Sequence, residues 1–243
     1  MHRLYRKDLP SVAAKFLRRN QAAVDAGSSP RPTWEKARKA QRMKDVVGAL
    51  LAMVGRRGRC MYCEDSRGTD IDHFWPLVLF KERTFVWENL LWSCSDCNRH
   101  KATRFRVGPW GGPMLLDPTA DDPWDFLYYN PHTGGITARY RGDMEDPRGK
   151  ETLEAIPALG NEAVMDGRRR TSRNLVRAVR AFLDQAAIDR PTARLDLADA
   201  IRDNDAYGLV IWYFRRDGRE EAPFRELRLS HPDVWEEIVT YAR

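Results

Sequence analysis

The sequence predicts an α+β protein that is mainly helical, with a small zinc-stapled ββα unit and one β-hairpin. All four cysteines of the 243-residue chain fall into two Cys-x-x-Cys pairs. Two short segments with alternating apolar residues lie between the pairs, as in half-buried strands. Over most of the remaining chain, apolar residues recur at helical spacing.

The cysteine pairs predict a structural zinc site. Each pair can supply two thiolates at about 2.3 Å from a tetrahedral Zn²⁺ ion, and no cysteine is left over. Two such pairs fit metal binding in a reducing compartment better than a disulfide framework. The N-terminal residues lack the apolar segment of a secretory signal, so we expect a cytoplasmic protein. The proposed ligands are Cys60, Cys63, Cys94 and Cys97.

Composition and charge limit the class of protein. The apolar content is that of a soluble globular chain, and no apolar run approaches the roughly 20 residues that span a bilayer. The formal net charge of +6 suits a polyanionic partner such as nucleic acid. A basic charge is equally compatible with a protein that has no such partner, so it supports the idea without establishing it.

We expect an N-terminal helical region over residues 1–55. A first helix extends to about residue 26, with Ser11 as its N-cap. The glycine- and proline-rich segment 27–32 predicts a linker or a tight turn. Thr33 is then expected to cap a second helix, which Gly55 ends.

Residues 56–118 are predicted to form the ββα unit. Residues 69–74 alternate as in a strand that Pro76 closes, and residues 89–92 form the second strand. The second cysteine pair leads into a helix that begins near Cys97. A unit of this size cannot bury enough apolar surface to fold without its metal.

Residues 119–243 are predicted to form a hairpin followed by a C-terminal helical region. Residues 126–129 and 136–140 flank a glycine turn, and residues 149–159 and 161–188 have helical periodicity. The apolar run 209–214 favours a helix because of its neighbours. Ser230 is expected to cap a final helix that ends at Tyr241.

One helix in this region has a basic face. Arg169, Arg173 and Arg177 share a stripe at helical spacing, opposite the apolar positions. The stripe could follow a phosphate backbone. A solvated helix face is the alternative.

The central motifs carry a resemblance to a known family. The pattern D-H-F-x-P begins at Asp72, N-L begins at Asn89, and C-x-x-C-N-x-x-K ends at Lys101. This order resembles the HNH, or ββα-metal, endonuclease superfamily. Residues 115–118 and 122–129 extend a looser similarity to the HNH nucleases of Septu and some retron antiphage systems, which are encoded beside ATPases. The resemblance implies a metal-dependent endonuclease of antiphage defence that acts with an ATPase partner.

The chemistry of phosphodiester hydrolysis assigns roles to these residues. His73 is neutral near pH 7 and can accept a proton from water. Asn98 supplies a neutral oxygen ligand, and the resemblance implies that Asp72 binds the same catalytic Mg²⁺ or Mn²⁺ ion. The resemblance also implies that Asn89 holds the loop carrying His73 through backbone hydrogen bonds.

Two further residues of the predicted helix are candidates for nucleic-acid contacts. Lys101 lies three residues after Asn98 on the same helix face and is expected to contact a phosphate. His100 is two residues from Asn98 and points away from it. We interpret His100 as either a surface group or a group that contacts one of the metal-binding residues. We do not expect it to bind the metal itself.

Two other classes of function compete with an endonuclease. A zinc-bearing adaptor that binds nucleic acid or protein, without catalysis, would have no reason to keep Asp72, His73 and Asn98 together. A thiol-redox protein would need an exposed cysteine pair near a βαβ pattern, and the sequence has no such pattern. The sequence does not choose between DNA and RNA as the target.

Overall fold

The computed structural model describes residues 1–55, 57–102, 104–186 and 188–241. Within these ranges the protein has ten α-helices and three two-stranded sheets. This confirms the mainly helical α+β prediction. The structure adds a second, very short hairpin to the one predicted. The helices are α1 (Ser11–Asp25), α2 (Pro30–Ala37), α3 (Met43–Val54), α4 (Ser95–Ala102), α5 (Pro147–Ala155), α6 (Glu162–Gln185), α7 (Arg190–Asp203), α8 (Leu209–Arg215), α9 (Phe224–Ser230) and α10 (Pro232–Tyr241).

The six strands of the described ranges form three pairs, and each pair joins two strands that are consecutive in the sequence. The pairs are β1 (Asp70–His73) with β2 (Leu90–Ser93), β3 (Leu127–Tyr129) with β4 (Ile136–Ala138), and β5 (Tyr140–Arg141) with β6 (Met144–Glu145). Every strand has four residues or fewer. Such short strands cannot form an independent sheet, so packing against helices must stabilise each pair.

The chain divides into two compact units. The first contains residues 3–126 and 138–159 with Met1, and the second contains residues 127–137 and 160–243 with His2. We predicted three regions instead, with boundaries after residues 55 and 118. Arg56, at the first of these boundaries, lies outside the described residues.

The first unit begins with three helices where the sequence predicted two. Helix α1 starts at Ser11, and Pro10 occupies the N-cap without a side-chain hydrogen bond, so Ser11 is not the cap. Helix α2 starts at Pro30, three residues before the predicted cap Thr33. A proline fits the first helical turn because its φ angle is already helical and no N–H is needed there. Gly55 ends α3 with φ at +68°, as predicted.

The ββα unit follows in the same part of the molecule. Strands β1 and β2 are antiparallel, with Asp70 opposite Ser93 and His73 opposite Leu90. Helix α4 begins at Ser95, directly after the second strand. This places β1, β2 and α4 in the order that the sequence predicted, with the helix starting two residues earlier.

The N-terminal region is packed onto the ββα unit, which explains why the two are not separate. The Arg6 guanidinium donates hydrogen bonds to the carbonyls of Trp87, Glu88 and Leu90 at 2.9, 2.6 and 2.7 Å. Gln21 of α1 accepts a hydrogen bond from the Phe85 N–H at 2.8 Å. These bonds fix both ends of the segment that leads into β2.

The second unit is built on α6 and the C-terminal helices. Leu175, Val179 and Phe182 of α6 are buried, as its periodicity predicted. The apolar run of α8 is helical, and its Trp212 ring lies edge-on to Tyr129 with centroids 5.1 Å apart.

None of the helices in the described ranges combines the length and the apolar character that a membrane span needs.

Two features of the C-terminal helices differ from the sequence prediction. Helix α7 was not predicted, and it contains Pro191. Pro191 occupies the first turn, where Asp189 caps the helix by accepting from the Thr192 N–H at 3.2 Å. Ser230 ends α9 and its hydroxyl donates to the Glu226 carbonyl, so it does not cap α10, which begins at Pro232.

Two glycines with similar φ angles differ in how closely their surroundings are packed. Gly134 has φ at +74°, and a Cβ there would lie 2.2 Å from the Met165 carbonyl oxygen. Gly142 has φ at +65°, but a Cβ there would meet nothing within 4 Å. Each alanine substitution costs about 1–2 kcal/mol from the positive φ. We expect Gly134→Ala to lose about 1–3 kcal/mol more through overpacking, measured as a lower melting temperature. Equal melting temperatures for the two variants would contradict this packing.

Candidate active site

The four cysteines form one buried cluster. Their sulfur atoms all lie within 4.8 Å of one another. A tetrahedral zinc ion with sulfur ligands at about 2.3 Å places the sulfurs about 3.8 Å apart, so the cluster fits this ion. The Cys97 N–H also points at the Cys94 sulfur at 3.5 Å, which favours a thiolate there. These residues would hold a closed, four-coordinate structural zinc.

The electrostatics of the cluster also call for a cation. The hydrogen bond with Cys63 raises the pKa of the Cys60 thiol, and the same bond lowers the pKa of Cys63 to about 6. Four buried thiolates can exist together only if a positive ion balances their charge.

His73 ends strand β1 and is held in one tautomer. Its Nε2 lies 2.9 Å from the carbonyl oxygen of Thr84. Because a carbonyl oxygen can only accept, Nε2 carries the hydrogen and Nδ1 keeps a lone pair. Burial lowers the pKa of His73 to about 4. The imidazole is therefore neutral at pH 7, with Nδ1 able to accept a proton.

Side chains from several elements hold His73 and its partner in place. The Trp34 ring of α2 lies edge-on to the His73 ring, with centroids 4.3 Å apart. Gln21 of α1 binds the backbone of Phe85, next to Thr84. The N-terminal helices thus help to form the surroundings of this histidine.

Asn89 joins the two ends of the loop that follows His73. Its side-chain oxygen accepts from the Trp75 N–H at 2.7 Å, and its amide donates to the carbonyls of Trp75 and Arg83 at 3.0 and 2.9 Å. These are the backbone hydrogen bonds that the resemblance implied. Its importance for catalysis stays a prediction.

Asp72 is buried beside His73 and has two partners. Its Oδ2 accepts a hydrogen bond from the Tyr62 hydroxyl at 2.7 Å and forms an ion pair with the Lys101 ammonium at 2.8 Å. Within the described residues, Oδ1 accepts no hydrogen bond. One carboxylate oxygen is thus fixed by the protein and the other is available as a ligand.

Lys101 lies inside the protein rather than on its surface. The side chain is 1 % exposed, and Nζ donates to the carbonyls of His73 and Phe74 as well as pairing with Asp72. An ammonium has three hydrogens, and these three acceptors use all of them. Lys101 is therefore not available for the phosphate contact that we predicted. It instead holds Asp72 and the backbone at the end of β1.

Asn98 is on the same face of α4 as Lys101. Residues three apart are neighbours on a helix surface, and Lys101 contacts both Asp72 and the His73 carbonyl. Asn98 is half-buried, and its side-chain amide makes no hydrogen bond to other described residues. Its oxygen and Asp72 Oδ1 are both hard oxygen donors, which suits Mg²⁺ or Mn²⁺.

The remaining candidates are solvent-exposed. His100 Nε2 lies 3.6 Å from Asp96, one turn earlier in α4. Arg169, Arg173 and Arg177 share an exposed face of α6 in the second unit, where Arg169 pairs with Asp166. The structure thus brings together His73, Asp72, Asn89 and Lys101, but it assigns the arginines to a different unit. Contacts of His100 and the arginines with nucleic acid stay predictions.

Sequence reasoning missed three groups around the site. Tyr62 lies between the cysteines of the first pair, so its position beside a predicted ligand pair was the only available signal. The Thr84 carbonyl is a backbone group that any residue type could supply. Trp34 contacts His73 from a distant part of the chain, and no local pattern indicates this.

The fold and site together define a class. Two antiparallel strands and a helix surround a four-cysteine centre, and the first strand ends in an aspartate–histidine pair with a neutral, oriented imidazole. This is a ββα-metal unit.

Known proteins share this unit with the chain over part of its length. The family model described as HNH endonuclease matches residues 60–104, so this segment is an HNH endonuclease domain. The chain is also similar to the Septu protein PtuB of Bacillus thuringiensis, with 33% identity over 81 residues. The match covers 31% of this chain and 29% of that protein. It therefore spans less than a third of either sequence.

Substitution of a cysteine tests whether the four-cysteine cluster binds zinc. Cys60→Ser should remove the stoichiometric zinc and sharply lower the melting temperature, because structural zinc contributes on the order of 10 kcal/mol to small domains. Asn98→Ala is the matched control, since Asn98 follows Cys97 directly but offers no thiolate. Elemental analysis and thermal melts measure both effects. Full zinc content in Cys60→Ser would contradict the assignment of this cluster as the zinc site.

Proposed function

We propose that this protein is a metal-dependent endonuclease that hydrolyses phosphodiester bonds in nucleic acid. The observation that carries the proposal is the oriented, neutral His73 beside Asp72 in an HNH domain. A binding adaptor would gain nothing from burying a histidine in a single tautomer next to a carboxylate with a free oxygen. The geometry therefore favours an enzyme over the adaptor.

His73 would act as the general base. Its Nε2–H is held by the Thr84 carbonyl, so Nδ1 is the atom that takes a proton from the attacking water. The carbonyl also stabilises the imidazolium that forms, because it keeps its hydrogen bond to Nε2–H in both states. The edge-on contact with Trp34 keeps the ring in this orientation, and Asn89 holds the adjoining loop through the backbone of Trp75.

Asp72 and Asn98 would hold the catalytic divalent ion. A bound Mg²⁺ or Mn²⁺ stabilises the charge that develops on the phosphate and on the leaving oxygen. The two residues supply one carboxylate and one amide oxygen, which leaves other positions for water and substrate. Lys101 does not join them, since its ammonium is fully used within the protein.

The substrate is proposed at the level of nucleic acid. Attack by an external water does not involve the 2′-hydroxyl, so the same residues can cut DNA or RNA. The exposed arginines of α6 and His100 are candidates for contacts with the phosphate backbone. Two cysteine pairs that bind a metal, in place of disulfides, fit a reducing compartment and favour action in the cytoplasm.

Single substitutions test the catalytic proposal. With Mg²⁺ or Mn²⁺, the protein should nick or cut nucleic acid and leave 5′-phosphate ends. His73→Ala should reduce the rate by at least about 100-fold, because a positioned general base contributes this much. Asp72→Asn and Asn98→Ala should also abolish cleavage while keeping zinc. The readout is the rate of conversion of a supercoiled plasmid and of a labelled RNA.

The control for these variants is His132→Ala. His132 is exposed in the turn between β3 and β4, and within the described part of the chain its imidazole makes no hydrogen bond, while its backbone N–H donates to Asn130. It should cut at the rate of the unaltered protein. Cleavage by His73→Ala at the control rate would rule out this mechanism and leave the adaptor as the better explanation.

We further propose that the nuclease serves antiphage defence together with an ATPase. The similarity to the Septu protein PtuB supports this, as does the extent of the chain outside residues 60–104. The HNH domain needs only part of the first unit. The entire second unit is therefore available to bind a partner protein.

Co-purification tests the partnership. Tagged His73→Ala protein should retain the product of the neighbouring gene, which we expect to be an ATPase, because docking does not need the proposed catalytic base. Use of this variant also prevents nuclease damage to the host cells. Unaltered protein that cleaves at full rate alone, and that neither binds the ATPase nor responds to it, would contradict the partnership. The nuclease activity itself would be unaffected by that result.

A further inference from the structure

The Asp72 carboxylate is held by two side chains of the protein. The hydroxyl of Tyr62 and the ammonium of Lys101 both approach Oδ2, at 2.7 and 2.8 Å. All three side chains are buried. Since both partners use the same oxygen, the rotation of the carboxylate is fixed and Oδ1 is the oxygen left over.

We propose that Tyr62 and Lys101 are positioning residues that orient Asp72, so that Oδ1 is presented to the catalytic divalent ion. This inference rests on the proposed function, because it assumes that Asp72 is a ligand. It goes beyond that function in assigning roles to two residues that contact neither the substrate nor the ion.

Lys101 positions more than the carboxylate. Its ammonium also donates to the carbonyls of His73 and Phe74, the latter at 3.0 Å. One side chain of α4 thereby ties the helix to the end of β1. Asn98 lies one turn earlier on that helix face, so the same contacts fix the spacing between Asn98, Asp72 and His73.

Tyr62 connects the carboxylate to the zinc centre. It lies between Cys60 and Cys63, and its ring is fully buried. The position of its hydroxyl therefore depends on how the first cysteine pair is held. Hydrogen bonds to metal-binding carboxylates commonly tune metal affinity by 10–100-fold, although the donor never touches the metal.

Tyr62→Phe tests the role of the hydroxyl with the smallest possible change. It removes one oxygen and keeps the ring, so zinc content and secondary structure should be retained. Mn²⁺ affinity, measured by electron paramagnetic resonance of the free ion, should fall by about 10-fold or more. Cleavage should fall at low Mn²⁺ and recover in part when Mn²⁺ is raised. Tyr140→Phe, at an exposed position of β5, is the matched control and should change neither quantity.

A double substitution separates positioning from a general structural effect. If Tyr62 acts through Asp72, Tyr62→Phe should not weaken Mn²⁺ binding further in a protein that already carries Asp72→Asn. Lys101→Gln gives an independent check, because it should also weaken Mn²⁺ binding while zinc content is kept.

The possible outcomes distinguish this inference from the proposed function. If Asp72→Asn loses Mn²⁺ binding and cleavage while Tyr62→Phe matches Tyr140→Phe, the positioning role is wrong and the nuclease proposal stands. Loss of zinc in Tyr62→Phe would assign the hydroxyl to the zinc centre and overturn the inference. If Asp72→Asn binds Mn²⁺ as tightly as the unaltered protein, Asp72 is not a ligand, and the metal site proposed above fails together with its positioning.

Discussion

The small size of the ββα unit is the constraint on which the rest of the structure depends. Two strands of four residues and a helix of eight cannot enclose an apolar core of their own. Strong local interactions take the place of such a core. The cysteine cluster joins the segment before β1 to the start of α4, and the Lys101 ammonium joins α4 to the end of β1. The N-terminal helices add further contacts, through Trp34 on the His73 ring and Gln21 on the Phe85 backbone.

This constraint explains why residues outside the matched segment 60–104 contribute to the surroundings of His73, the proposed general base. A neutral, singly oriented imidazole needs a hydrogen-bond acceptor at one nitrogen and a low-polarity environment. The Thr84 carbonyl provides the acceptor, and Trp34 of α2 covers the ring. Gln21 and Arg6 bind the backbone on either side of the loop that ends at β2. The N-terminal region therefore helps to build the proposed active site, although its sequence resembles an ordinary pair of helices.

The parts of the site that could be predicted are those that depend on the spacing of residues along the sequence. Cys60 and Cys94 begin pairs whose separation is characteristic of zinc sites, and the Asp72–His73 pair precedes a proline at the distance seen in the family. Helical periodicity placed Lys101 on the same face as Asn98. It could not show how deeply that face is buried, so the phosphate contact was predicted where an internal ion pair exists.

The unpredictable parts depend on contacts between distant residues or on backbone atoms. Trp34 and His73 are far apart in sequence, and the Thr84 carbonyl has no side-chain signature. Proline positions caused a further class of error in the fold. Pro30 was assigned to a linker or turn, yet it lies in the first turn of α2, where proline is well tolerated. Pro191 has the same position in α7, the helix that was not predicted. A local pattern cannot distinguish these two uses of proline, because both end the preceding element.

The arrangement of Tyr62, Asp72 and Lys101 has a consequence for how the site assembles. The three side chains come from the first cysteine loop, from β1 and from α4, and they meet at a single carboxylate oxygen. A buried carboxylate and a buried ammonium are each costly alone, so neither is stable in this position without the other. The loop and the helix are brought together by thiolates that need a cation. We therefore expect the orientation of Asp72 to depend on the four-cysteine cluster, because Tyr62 lies between the first two cysteines and Lys101 lies on the helix that follows the other two.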